Sequence, residues 1–299
     1  MATKGKTIIY ARRGEVRACL TIGFTLFFTA QDFDAQLWSA LETAVALVAP
    51  NATWYRATGM RRNRATEQKV LRQELERLGA RAKDGEDCAL IIDSGETLDG
   101  VADWALKFSH EPRLSDHFLG YIQVHTPVAD QDRRAAQIFQ LMECSVNRAR
   151  FLHGSAGYSV NFDHGDLDRE RDIAIRAFCE RYLGVALSDL VTEREQLRDG
   201  IKGGQWVLFL GESLLSRHQN ETNVLTARPG AARGPHGLLI RACDEPILGD
   251  QHRSESIEPY REVSGAVRPW LVDSLFPMPG FPDEQSVRVW LQKLRPSTT

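Results

Sequence analysis

The sequence lacks most of the features that assign a protein quickly. It contains no GxGxxG, no GxxxxGK(S/T), no GxSxG and no HExxH. Those absences lower the odds of the commoner nucleotide-dependent and hydrolytic enzymes, although an enzyme without a short motif would escape them. Cysteines stand apart at Cys19, Cys88, Cys144, Cys179 and Cys243, an odd number with no CxxC pair. This argues against a disulfide framework or a structural zinc site and for reduced thiols in a cytosol. Charge of either sign is not in excess. The net value is −3, too small to call for a nucleic-acid or membrane partner. No apolar run is long enough to cross a bilayer, since the most apolar stretch is RACLTIGFTLFFTA at 17–30. Nor do the first twenty residues show an apolar core followed by a small-residue cleavage site. The expected location is the cytoplasm, with no cofactor, no metal, no membrane and no direct nucleic-acid contact.

What is present is ordinary for a soluble globular chain: 42% hydrophobic and 26% charged residues. The length, 299 residues, suits two domains or one two-lobed unit and can bury a core without disulfides. VRACLTIGFTLFF (16–28) reads as a long buried strand. Apolar residues at helical spacing predict a helix over 33–48, opened by Asp32 and Asp34 and ended by Pro50 and Asn51. A short strand at 52–58 follows. A helix is predicted over 65–80 with Gly79 as its C-cap, then strands at 87–93, 102–110 and 118–127. A helix over 130–149 and a strand over 157–164 complete a second strand–helix–strand unit. After Asp166 the pattern changes, with helices at 167–182, 259–270 and 283–294, apolar segments at 205–215 and 237–242, and a Gly/Pro/Ala-rich loop at 227–237. The fold class is therefore α+β. A mixed, largely antiparallel sheet with packed helices is expected in two lobes, a sheet-rich lobe at 1–165 and a mixed helical and strand lobe at 166–299.

Several clusters invite a chemical reading. His153 and Ser155 in HGSAGYS could form a nucleophile–base pair, but a glycine turn leading into a strand explains the residues better. Asp163, Asp166 and Asp168, with His164 among them, offer carboxylate oxygens without calcium-loop spacing, so capping of the next helix is preferred. Between 56 and 83 nine cations face three carboxylates, a net of +6 able to hold phosphates. No aromatic interleaving accompanies them, and a solvated face is the stronger reading. Trp206, Phe209 and Leu210 read as core. GLLIRACDEPILGDQH (237–252) gathers Cys243, Asp244, Glu245, Asp250 and His252 at a strand end, at spacings that match no known metal site. From Gly237 to Glu262 six acids oppose three arginines. An acidic, turn-rich and exposed segment suits a protein-binding rim better than a metal cage.

Here the residues become recognisable. GLLIRACDEPILGD, followed by PYREV and VRPWLVD, resembles the C-terminal signature of the type VI immunity family. RACLTIGFTLFF resembles its N-terminal strand, GSAGYSVNF its central glycine–tyrosine strand, and IKGGQWVLFLGESLL its aromatic-rich segment. The resemblance spans nearly the whole chain. It departs from the family pattern at Ala242-Cys243-Asp244, where a small or glycine-like turn is expected. It implies a non-enzymatic protein that binds a cognate toxin of a type VI secretion or polymorphic-toxin system and blocks it in the producing cell. Related immunity proteins often face nuclease toxins. The family supplies no catalytic residues to carry over.

The resemblance implies an immunity protein that occludes a cytoplasm-acting toxin, and the residue reading agrees with it. A nuclease must be basic where it holds phosphates, and an acidic rim would complement it and speed association. The expected partner-binding residues are Asp244, Glu245, Asp250, His252, Glu255, Glu258 and Tyr260. Trp54, Tyr55, Trp270 and Tyr260 are candidate anchors for a desolvated centre. Two other readings stay open: a toxin-loading adaptor, and a hydrolase using His153/Ser155 or Cys243/His252.

Overall fold

The structure is a computed structural model and describes residues 7–95, 101–115, 117–162 and 168–296. Its centre is β2 (Glu15–Phe28), a 14-residue strand whose β-branched and aromatic side chains suit a pleated, buried position. β1 (Thr7–Arg12) forms a hairpin with it. The helix α1 (Ala35–Val48) starts where the Asp34 carboxylate accepts the Leu37 amide. β3 (Trp54–Ala57), β4 (Arg64–Ala65), α2 (Gln68–Lys83), β5 (Cys88–Asp93), β6 (Ala105–His110), β7 (Gly120–Pro127), α3 (Gln131–Arg148) and β8 (His153–Phe162) follow. Beyond them lie α4 (Arg169–Arg181), α5 (Leu190–Gln196), β9 (Val207–Gly211), α6 (Glu212–Leu215), α7 (Gln219–Thr226), β10 (Ala231–Gly234), β11 (Gly237–Arg241), α8 (Glu258–Ala266) and α9 (Glu284–Lys293).

The strands form one sheet in the order β10-β11-β9-β8-β2-β7-β6-β5-β3-β4, with β1 also on β2, and every pairing is antiparallel. β7 and β8 both lie against β2, so the predicted strand–helix–strand unit β7–α3–β8 crosses over the central strand. β8 also pairs with β9, so the sheet continues from the 1–165 region into the 166–299 region. The α+β expectation holds.

Successive side chains on β2 point to opposite faces. Ile22, Phe24, Leu26 and Phe28 are buried and supply one apolar layer. α1 packs against β5, β6 and β7, α2 against β3 and β5, and α3 against β2, β7 and β8. Phe28, Phe33, Trp38 and Phe108 form a ring cluster beneath α1. Phe28 and Phe108 are fully buried, and each contributes roughly 1.5–3 kcal/mol. The other face of β2 is partly polar. Thr21 Oγ1 lies 2.8 Å from His125 Nδ1, and the Gln123 amide donates to Thr25 Oγ1 at 3.1 Å.

Four local expectations change. Gly79 does not cap α2. The helix runs on to Lys83, and a Cβ at position 79 would crowd the Trp38 ring at 3.1 Å, so the glycine serves packing. The stretch from His153 is already strand β8 and not a glycine turn, with Gly154 and Gly157 opposite Leu26 and Gly23. The 227–237 loop contains β10, which forms a two-residue hairpin with β11 around Pro235 and His236. Helix 259–270 is shorter than predicted. It ends as α8 at Ala266, and a 3-10 turn at Arg268–Trp270 carries Pro269.

Candidate partner-binding surface

The acidic segment begins where β11 leaves the sheet. Its first turn is pinned by main-chain carbonyls. Cys243 O accepts from Trp206 Nε1 at 2.9 Å and from Arg241 Nε at 3.1 Å, and Arg241 also donates to Asp244 O. This bonding holds the Ala242-Cys243-Asp244 turn without the glycine of the family pattern. Pro246 then leads into residues that lie along the end of α4. Leu248 O and Gly249 O accept from the Gly184 and Leu183 amides. Gly249 has φ +72°, and a Cβ there would meet Ile257 and the Gly184 nitrogen, so glycine is required.

Asp250 is the hinge of the segment. It is 5% exposed, and the Arg181 guanidinium grips it through two bonds, Nε to Oδ1 at 3.0 Å and Nη2 to Oδ2 at 2.8 Å. Asp250 Oδ1 also accepts the His252 amide and starts a 3-10 turn, Gln251–Arg253. Chiefly through the Arg181 bonds, the carboxyl is held down at about 2. The Asp250 amide in turn donates to Glu255 Oε2 at 2.9 Å.

The seven predicted residues therefore fall into two groups. Asp244, Glu245, His252, Glu255 and Glu258 are exposed. Asp250 and Tyr260 are buried and hold the segment in place. The Tyr260 hydroxyl accepts the Ile247 amide at 2.7 Å, so this residue anchors the fold and not a partner. Asp250 and Glu255 share an open cleft of about 690 Å³ with Tyr158, Arg181, Tyr182 and Arg253. Sequence reasoning missed Arg181, Tyr182 and Tyr158. Arg181 and Asp250 are 69 positions apart, and no local pattern joins them. Of the exposed acids, Glu258 stands 3.8 Å from Arg261. The carboxylates of Asp244, Glu245 and Glu255 have no cation within 4.0 Å among the described residues. The other proposed anchors are core residues too: Tyr55 and Trp270 are buried, with Trp270 Nε1 donating to Leu214 O at 2.8 Å. Trp54 is half-buried. Trp206, Phe209 and Leu210 are core as expected.

The alternative chemical pairs are not assembled. His153 Nε2 lies 2.8 Å from Leu197 O, and no hydrogen bond joins it to Ser155. Burial pushes its ring down to about 4. Cys243 Sγ donates to Glu245 O at 3.0 Å rather than meeting His252, and burial raises its thiol. Ser159 Oγ lies 3.2 Å from His125 Nδ1, a pair the sequence did not suggest. Burial drives that imidazole well down, and no hydrogen bond reaches its Nε2. Asp163, His164 and Asp166 lie outside the described residues. Asp168 caps α4, accepting the Glu170 and Arg171 amides. Among the described residues no group of three His, Cys, Asp or Glu is placed to hold a metal ion, and no helix is long and apolar enough to cross a membrane.

The pinned turn, the gripped carboxylate and the exposed acids lie together beside the open cleft. The family profile of TsiV, type VI immunity for VRR-NUC, matches residues 36–293, and the chain belongs to that family. A type VI secretion system protein of Pseudomonas aeruginosa shares the fold, with a TM-score of 0.81 at 18% identity over 97% of this chain and 88% of that one. A search of curated proteins returned no match.

Proposed function

We propose that this immunity protein binds a VRR-NUC nuclease toxin in the cytoplasm and neutralises it by covering its active site with the surface around residues 244–258. The family match over residues 36–293 is the observation that carries the reading. The exposed acids add a physical reason. Asp244 and Glu245 keep their carboxylates free for a partner and Glu255 is exposed beside them, while Asp250 and Tyr260 keep the segment rigid beneath. A rigid acidic rim gains on-rate from a basic phosphate-binding groove and loses little entropy when it docks.

The test has two steps. Co-expression with the VRR-NUC toxin restores growth, and purified protein titrated into a nuclease assay stops DNA cleavage at one equivalent. A stoichiometric complex that still cleaves DNA would rule out occlusion and favour a toxin-loading adaptor. Asp244→Lys, Glu245→Lys and Glu255→Lys together slow association about tenfold and weaken its salt dependence. Asp250 is left out of that variant because its charge is already committed to Arg181.

A further inference from the structure

The most basic part of the sequence, 56–83, has no role in the reading above, and the structure divides it in two. Toward the end of α2 the charge is neutralised: Arg77 pairs with Glu74, and Arg81 Nε lies 2.8 Å from Glu86. Toward the β3–β4 edge it is not. Arg56, Arg61, Arg62, Arg64, Lys69 and Arg72 are all exposed. None has a carboxylate within 4.0 Å among the described residues. Glu67 is the one acid between positions 56 and 72.

The fold brings these six to one edge of the sheet, with Arg64 on the face of its partner Tyr55 and Arg56 on the opposite face. Arg56 lies on β3 and Arg64 on β4, which pairs with it. Arg61 and Arg62 lie in the connection between them, and Lys69 and Arg72 on the first turns of α2. β4 is the last strand of the sheet. Five of the six are arginines, whose planar fork matches a carboxylate in two bonds. Apolar surface lies on the Arg56 face of this edge. Ile91 on β5 sits directly opposite Arg56 and is 36% exposed, and Trp54 is half-buried beside Asp93. Arginine with tryptophan and an aliphatic side chain is the composition of a protein interface. The mouth of α2, where a phosphate would enter, carries the Glu67 carboxylate. Both features favour a protein over a nucleic acid.

We propose that this arginine edge is a second docking surface and takes an acidic segment of the nuclease toxin. The proposal rests on the immunity reading. Eight strand spacings separate β11 from β4, on the order of 40 Å. The two surfaces are thus far enough apart to act independently.

Arg61→Glu, Arg62→Glu and Arg64→Glu in one chain test it, with circular dichroism to confirm folding. The probe is the cognate VRR-NUC nuclease, inactivated and stripped of nucleic acid, titrated at low and high salt. The expected result is binding about tenfold weaker or more than wild type at low salt, with a smaller loss on adding salt. The matching lysine variant retains part of the affinity, because it keeps charge but not the fork. If wild type binds and the glutamate variant binds equally well, the edge is not a docking surface and the immunity reading stands. If wild type does not bind the nuclease, that reading falls and this one with it. If the variant loses only affinity for a short duplex DNA, the edge is a phosphate site and the proposal is overturned.

Discussion

The buried Asp250 carboxylate beneath the acidic rim and the exposed edge around Arg64 use charge in opposite ways. At Asp250 the charge is turned inward: Arg181 grips the carboxylate through two bonds, and the His252 amide donates to it. Around Arg64 six cations are exposed with no carboxylate within 4.0 Å among the described residues. Charge committed inside a fold sets its shape, and its removal is read in stability. Charge left outside adds little stability and is read in association. One chain therefore separates the two uses by place.

The sharpest way to test the separation lies within the inward set. Glu193 is fully buried, and both its oxygens accept from Lys202 Nζ at 3.0 Å. Lys202 also donates to Leu187 O and Ser188 Oγ at 2.7 Å. Lys202→Ala strands a buried carboxylate and is expected to lower unfolding free energy by about 3–5 kcal/mol, measured by chemical denaturation. A loss below about 1 kcal/mol would mean that water reaches Glu193 and the pair is not structural.

Acid is the next largest effect. Burial holds His153 and His110 at about 4 and His125 well below its ordinary value. Their folded values lie below the unfolded one, near 6.5, so the unfolded chain takes up protons first as pH falls. The stability is complete above pH 6.5 and is lost as pH drops toward 4, about 3 kcal/mol for His153 alone. Melting temperature followed from pH 7 to 4 checks this. His153→Gln flattens the profile by about one proton, and an unchanged slope would show that this ring does not govern it.

Much of the inward architecture was legible in sequence. The run from Val16 to Phe28, the periodicity of α1 and α3 and the acidic start of α4 follow from local rules. The two ends of the sheet were harder. β10 is four residues of Ala, Arg and Gly, and what makes it a strand is pairing with β11. Gly79 looked like a cap because only tertiary packing reveals Trp38 above it. The candidate surface was half visible. Its exposed acids follow from composition, but Asp250 and Tyr260 are buried by contacts with Arg181 and Ile247 across 69 and 13 positions. The arginines were plain as a run. Their lack of partners was not, since that depends on where Glu74 and Glu86 pair.

The smallest expected effect is the most diagnostic of the comparison. Replacing Arg61, Arg62 and Arg64 singly by alanine is predicted to change stability by no more than about 0.5 kcal/mol, since each is exposed and unpaired. The sign is expected to be slightly stabilising, because removing one of several like charges relieves repulsion. Added salt screens the same repulsion, so it raises the wild-type melting point more than that of the alanine variants. Thermal melts at low and high salt read both effects. A destabilisation above about 1 kcal/mol at Arg64 would place that guanidinium among the inward charges, with a partner in the fold. A near-zero change together with weaker toxin binding would show the edge to be spent wholly on recognition.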